Sequence, residues 1–369
     1  MECMPVVVEP EPDIEAPASA QPVLEDIGEP EEDLHVKLAR PQQQVVTLTE
    51  CNTYLQAELS GIKSRLLSLE LIQNDAECRY YTGFPNFGVF QALFDFLFPR
   101  ASAMMYRGSM EKKLNQKRGR MRQRELMEEF FMVLVKLRNG MSGREISRNF
   151  GTSECSFSKI FVTWINFLQR ELKNITRFPT VAQIKPYLPD VFQEFPNTRL
   201  VLDVTEVRIQ RPPSLNVQGQ TFLHYNTYKV VVGCTPDGYI SYVSKLWGGS
   251  VSDAHIVQKS GVFDSLEPGD GILVDRGFNY PCVPQGIDIY SPPFQSRGEA
   301  QCREALLSTR RVPSARVHVE RVIRRVKEFH ILDKPFPINM VDIAEHIFHV
   351  CCYLSNFRCP LIRDSLDDP

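Results

Sequence analysis

The chain has 369 residues, 43% of them hydrophobic and 24% charged, with a formal net charge of −3. That length and composition suit a globular protein of two or three domains with a sizeable core. No apolar run approaches the roughly 18–20 residues a membrane helix needs, and no basic segment leading into an apolar stretch opens the chain, so no membrane partner is expected. The 10 cysteines lack paired CxxC spacing, which points to reduced thiols.

The charge is segregated along the chain. Residues 1–34 carry 11 acids and no Lys or Arg, which leaves 42 basic against 34 acidic residues in the remainder, a balance of +8. Between Arg100 and Lys173 there are 16 basic and seven acidic residues. A polyanion would bind there.

Residues 1–40 are rich in Pro and acids and poor in aromatics, so a disordered acidic tail is expected, simply solvated, shielding the basic domain or recruiting a partner. Residues 41–75 fall into heptads, with Val45, Leu48, Leu55, Leu59, Ile62, Leu66 and Leu69 at a and d positions and Asn52 at an a position. This predicts a short coiled-coil helix. Its apolar seam serves either a homodimer through residues 45–69 or packing on its own domain.

Residues 76–178 read as an all-α domain. Phe87, Phe90, Phe94, Leu97 and Phe98 follow a Thr-Gly-Phe-Pro turn at helical spacing. The strip KKLNQKRGRMRQR, Lys112 to Arg124, suits a linker touching phosphates, a nuclear import signal, or both. Next, Leu126–Leu137 predicts a helix ended by Asn139-Gly140. Ser142 caps a second helix that Gly151 stops, and Ser153 caps a third. Helix, Gly-containing turn and helix match a helix-turn-helix, which would aim Glu154, Ser156 and Lys159 at bases or phosphates. Phe157, Ile160, Phe161, Trp164 and Leu168 would form its core seam.

A Pro-containing linker covers 179–197, an α/β segment covers 198–358, and a tail covers 359–369. LVLDVTEVRIQ, YKVVVGCTP and GYISYVSKLW predict three strands. A helix from Ser252, then GILVDRG, IDIYSPP and a long final helix follow. Asp203 lies inside an apolar, β-branched run, where an ionised acid is costly unless paired or metal-bound. Asp275 ends another strand, with Gly277 free to turn the backbone. Glu320 lies on the long helix, whose buried stripe is Val319, Val322, Val326 and Phe329. Arg316, Arg324 and Lys327 share its side of that helix. Glu206, three residues past Asp203, falls on the opposite strand face. His346, His349, Cys351 and Cys352 read as parts of an apolar helix rather than as zinc ligands.

Acids delivered by separate elements to one place need a cation between them, and hard divalent ions take oxygen ligands of this kind. The blocks YYTGFPNFGVFQALF, ISRNFGTSECSFSKIFVTWINFL, LVLDVTEVRIQRP, YNTYK, GYISYVSKLWGGSVSD, GDGILVDRGF and ARVHVERVIRRVK run in order from Tyr80 to Phe357. Together they resemble the Harbinger-type branch of the Asp-Asp-Glu transposase and nuclease superfamily. The resemblance implies a ribonuclease-H-like α/β catalytic domain; in this chain the helix-turn-helix domain, the coiled-coil helix and the acidic tail precede it. It implies Asp203, Asp275 and Glu320 as catalytic residues holding Mg²⁺ or Mn²⁺, two ions in all, to cut double-stranded DNA. Lys229, Arg276, Arg316, Arg324 and Lys327 join Glu154, Ser156 and Lys159 as candidate DNA contacts. Relatives often open with a zinc-coordinating DNA-binding module that has no counterpart here, so a separate DNA-binding partner protein is one expectation. The alternative is a domesticated, nuclear DNA-binding protein without nuclease activity.

Overall fold

The computed structural model describes residues 31–63, 66–106, 124–222, 224–275, 284–291 and 303–361. Two compact units divide at residue 63. The first contains one long helix, α1 (Glu31–Lys63). It begins inside the stretch expected to be disordered; residues 1–30 lie outside the described part. Thr47, Thr49 and Thr53 fold their hydroxyls back onto carbonyls four residues earlier. Val45, Leu48, Leu55 and Leu59 are all more than half exposed. The heptad outruns the helix: Leu66 and Leu69 belong to the second unit, where Leu69 packs partly buried against the core.

The second unit opens with α2 (Asp75–Thr82), capped by the Asn74 side chain, and α3 (Phe87–Ala101), capped by Asn86. Phe90, Phe94 and Leu97 are buried, whereas Phe98, off that stripe, is 49% exposed. Helices α4 (Leu126–Asn139), α5 (Gly143–Asn149) and α6 (Glu154–Ile175) follow. The basic strip before them lies almost wholly outside the described residues. Ser142 and Glu145 form a reciprocal capping box on α5, and Ser153 caps α6. Each supplies a side-chain acceptor to amides that have no partner in the first helical turn.

Phe157, Ile160, Phe161, Trp164 and Leu168 are buried on α6 as the spacing predicts. Glu129, itself buried, accepts from Trp164 Nε1 at 2.9 Å and from the Tyr106 hydroxyl.

Gly140 ends α4 at φ +65°, where a side chain is strained. A Cβ there would lie 2.7 Å from the His330 carbonyl oxygen. Gly140→Ala is therefore expected to lower the unfolding free energy by about 1.5 kcal/mol, read from the urea midpoint.

After α7 (Val181–Ile184), the chain enters a six-stranded sheet. Its strands are β1 (Thr198–Arg208), β2 (Thr227–Cys234), β3 (Ile240–Val243), β4 (Trp247–Gly248), β5 (Gly271–Leu273) and β6 (Asp288–Tyr290). The short helix α8 (Leu215–Thr221) precedes β2, and α9 (Asp253–Lys259) precedes β5. The order is β3-β2-β1-β5-β6, with β4 on β2. β1, β2 and β3 are antiparallel neighbours, while β5 and β6 run parallel to β1.

This mixed sheet with its helices fits the ribonuclease-H-like expectation. GYISYVSKLW is split, however. Ser244 interrupts it, its hydroxyl accepting from Val231 N at 2.9 Å and its carbonyl receiving His349 Nε2. Helices α10 (Arg303–Lys327) and α11 (Val341–Ser355) complete the unit.

The sheet separates two cores. Val201 and Val207 of β1 join Val230 and Val232 of β2 with Val319, Val322 and Val326 of α10. Leu200 and Leu202 point the other way, to Ile256 and Val257 of α9. The first core continues without a break into Phe130, Trp164 and Leu168 of the helical segment. The all-α and α/β segments, expected as domains on either side of a linker, therefore share one interior. Arg138 of α4 fastens them by donating to the Glu328 carbonyl at 2.7 Å, just past α10. In α11, Cys351 and Cys352 are fully buried, and His346 bonds Asn166 of α6 at 2.7 Å. Among the described residues no helix is long and apolar enough to cross a membrane.

Candidate active site

Strand alternation decides which acids can meet. Asp203 has the parity of Val201 and Val207, so its carboxyl faces the α10 side, opposite Val232 of β2. The parallel register pairs Val201 with Leu273. Carried two residues further, it brings Asp275 alongside Asp203. Leu273 belongs to the same core as Val201, and so Asp275 shares its face. Glu320 projects from α10, one residue past the buried Val319. The three acids that the sequence placed on separate elements are thus gathered at one end of one sheet face.

Electrostatics reports the same convergence. Asp203 accepts from the Val204 amide at 2.9 Å. Its carboxyl is pushed up to about 6, chiefly by burial and further by the charges of Asp275 and Glu320; the Val204 amide and Arg316 pull it down. Arg316 bridges the other two acids. Its Nη1 is 3.0 Å from Asp275 Oδ1 and its Nη2 is 3.6 Å from Glu320 Oε1. The arginine side chain is only 14% exposed, against 44% for Asp275 and 55% for Glu320. Partial desolvation lowers the Lys327 ammonium, while Asp203 and Glu206 act in the opposite direction. Arg324 is exposed on the same helix.

Other candidates lie apart from this cluster. Lys229 pairs with Glu206 across the strands, on the opposite face from Asp203. It is buried, and its ammonium is held by Asp253 Oδ1 at 2.9 Å and the Val251 carbonyl at 3.2 Å. Asp253 is thereby committed to a salt bridge at the start of α9. Glu154, Ser156 and Lys159 are exposed near the start of α6, with Glu154 at 3.8 Å from Arg144. Arg276 and Gly277 lie outside the described residues. The sequence reading took Arg316 as a DNA contact only. Its role as the bridge between acids was missed, although its four-residue spacing from Glu320 is the local signal for such a pair.

The donor set fits a hard divalent cation in kind: three carboxylates, no thiolate, no imidazole. The spacing is another matter. Among the described residues no three His, Cys, Asp or Glu side chains are arranged to hold one ion. The guanidinium of Arg316 takes up the space between two of the acids.

A mixed α/β sheet thus presents converging acids beside a basic helix. Within the chain, residues 202–356 match the family described as DDE superfamily endonuclease. That span holds all three acids and covers less than half of the chain. No curated protein and no solved structure matches the chain.

Proposed function

We propose that the protein is a divalent-metal-dependent DNA endonuclease of transposase-like type, in the Harbinger branch, with Asp203, Asp275 and Glu320 as its catalytic acids. One observation carries the reading: an acid on β1, one just past β5 and one on α10 converge, the last two joined through Arg316. A partly buried acid in mid-strand, pressed by two others, costs the fold stability, and such a cost is retained where chemistry requires it.

The three carboxylates would hold Mg²⁺ or Mn²⁺, two ions in the complete site. Bound there, the ions would supply Lewis-acid polarisation of a phosphodiester and a water acidified for attack. The protein's own contribution is the frame: β1 and the segment leaving β5 bring two acids together, and α10 brings the third with its cationic neighbours. Arg324 and Lys327 would grip DNA phosphates flanking the cut. Glu154, Ser156 and Lys159 at the head of α6 would meet the duplex in the helix-turn-helix manner. Arg276 is assigned a phosphate by sequence alone. Lys229 belongs to a phosphate only if it leaves Asp253. The exposed apolar seam of α1, from Val45 to Leu59, would pair with a second copy. A DNA-binding partner protein would direct the complex, and the nucleus is its place of action.

The test is nicking of supercoiled plasmid by the full chain in Mn²⁺ or Mg²⁺ against the same reaction in EDTA. Cutting that needs the ion supports the proposal. Salt-sensitive DNA binding with no cutting under either condition favours the domesticated DNA-binding protein instead. The bridge made by Arg316 is the observation on that side.

A further inference from the structure

We infer that Arg316 is a built-in counter-cation that competes with an incoming metal ion for Asp275 and Glu320, so that metal enters only as the guanidinium leaves. The inference rests on the metal-dependent reading above and goes beyond it by naming what guards the site.

Three observations carry it. First, one guanidinium spans two acids on different elements, through Nη1 to Asp275 at 3.0 Å and Nη2 to Glu320 at 3.6 Å. Carboxylate oxygens committed to Arg N–H groups are not open to a metal ion, and two cations brought to the same oxygens repel. Second, Arg316 lies inside and the acids outside. At 14% exposure against 44% and 55%, the arginine occupies the interior of the cluster. Third, the bridge is incomplete. Arg316 Nε is buried and has no hydrogen-bond partner among the described residues. A buried N–H left unpaired is costly, so the bridged arrangement is a compromise. Arg316 precedes Glu320 by one helical turn, so rotation of its side chain would release its bonds to both acids while α10 stays in place.

Without the guanidinium the cluster loses the cation that spans two of its acids and attracts a divalent ion more strongly. Mn²⁺ affinity, followed by the loss of free-ion electron paramagnetic resonance signal, reads this without any cutting assay. Arg316→Gln is expected to bind Mn²⁺ at least about tenfold tighter than wild type, and Asp275→Asn added to it should abolish the gain. Arg316→Lys keeps the charge on a single ammonium that cannot span both acids. It should fall between the two, and it carries the test should the glutamine variant fail to fold.

Equal or weaker binding by a folded Arg316→Gln, with wild-type binding that Asp275→Asn removes, would overturn the inference and leave the nuclease reading standing. Absence of Mn²⁺ binding by wild type and both Arg316 variants would overturn the two together.

Discussion

Asp275→Asn is expected to slow Mn²⁺-supported nicking by at least about a thousandfold while DNA affinity holds, because it removes one acid of a set that acts as a unit. Asp203→Asn and Glu320→Gln should each do nearly the same, and the triple variant should be little worse than any single one, since parts of one machine are not additive. Affinity for duplex DNA, measured by fluorescence anisotropy at one fixed salt concentration, should stay level or rise slightly. Each substitution deletes a negative charge close to where phosphates would pass. Asp275 and Glu320 are about half exposed and bonded through Arg316, so a neutral amide at either position leaves the core untouched. Normal cutting by all three single variants would refute the assignment of these acids. Loss of cutting together with DNA binding would point to a structural role instead.

Asp203 stands out in the sequence because it breaks a local rule. An acid inside LVLDVTEV contradicts the apolar alternation around it, and the fold keeps that conflict: burial is the largest influence on the Asp203 carboxyl. The caps were legible for the opposite reason. Ser142 and Ser153 obey rules acting within four residues, and each accepts the amide its position predicts.

What escaped the sequence depends on long-range packing. Nothing in residues 179–197 says that α6 and α11 will share a core, because contact between distant segments leaves no periodic trace in either. The heptad seam was read past its end for a related reason. Leu66 and Leu69 keep the spacing of the helix, but Leu69 finds a better partner in the core of the second unit. Lys229 shows the limit most plainly. A lysine at a strand end looks like a phosphate ligand, yet strand parity turns it to the α9 face, where Asp253 receives it. Arg316 differs again, since the four-residue spacing to Glu320 was in view. Its second bond, to Asp275 more than forty residues earlier, was not.

The crowding of charge also sets a stability test that requires no substrate. In the unfolded chain the Asp203 carboxyl titrates at its ordinary 3.8, and in the fold at about 6. Between these values the folded state holds a proton that the unfolded state has released. Stability therefore falls as pH rises through that window, and above about 6 the full cost is present, on the order of 2–3 kcal/mol. Asp203→Asn removes that cost and keeps an oxygen for the Val204 amide. Without divalent ions the variant should unfold at higher urea than wild type at pH 8, and the gap should close as pH approaches 4. Mn²⁺ should reverse the order. At a hundredfold excess over its dissociation constant an ion adds about 2.7 kcal/mol to the state that binds it, and only wild type keeps all three acids. If Asp203→Asn is the less stable protein at pH 8 without metal, the Asp203 anion is a net support of the fold and the three acids do not strain it. If it is the more stable one and Mn²⁺ restores the advantage of wild type, the cost of bringing the three acids together is offset by the cation they bind.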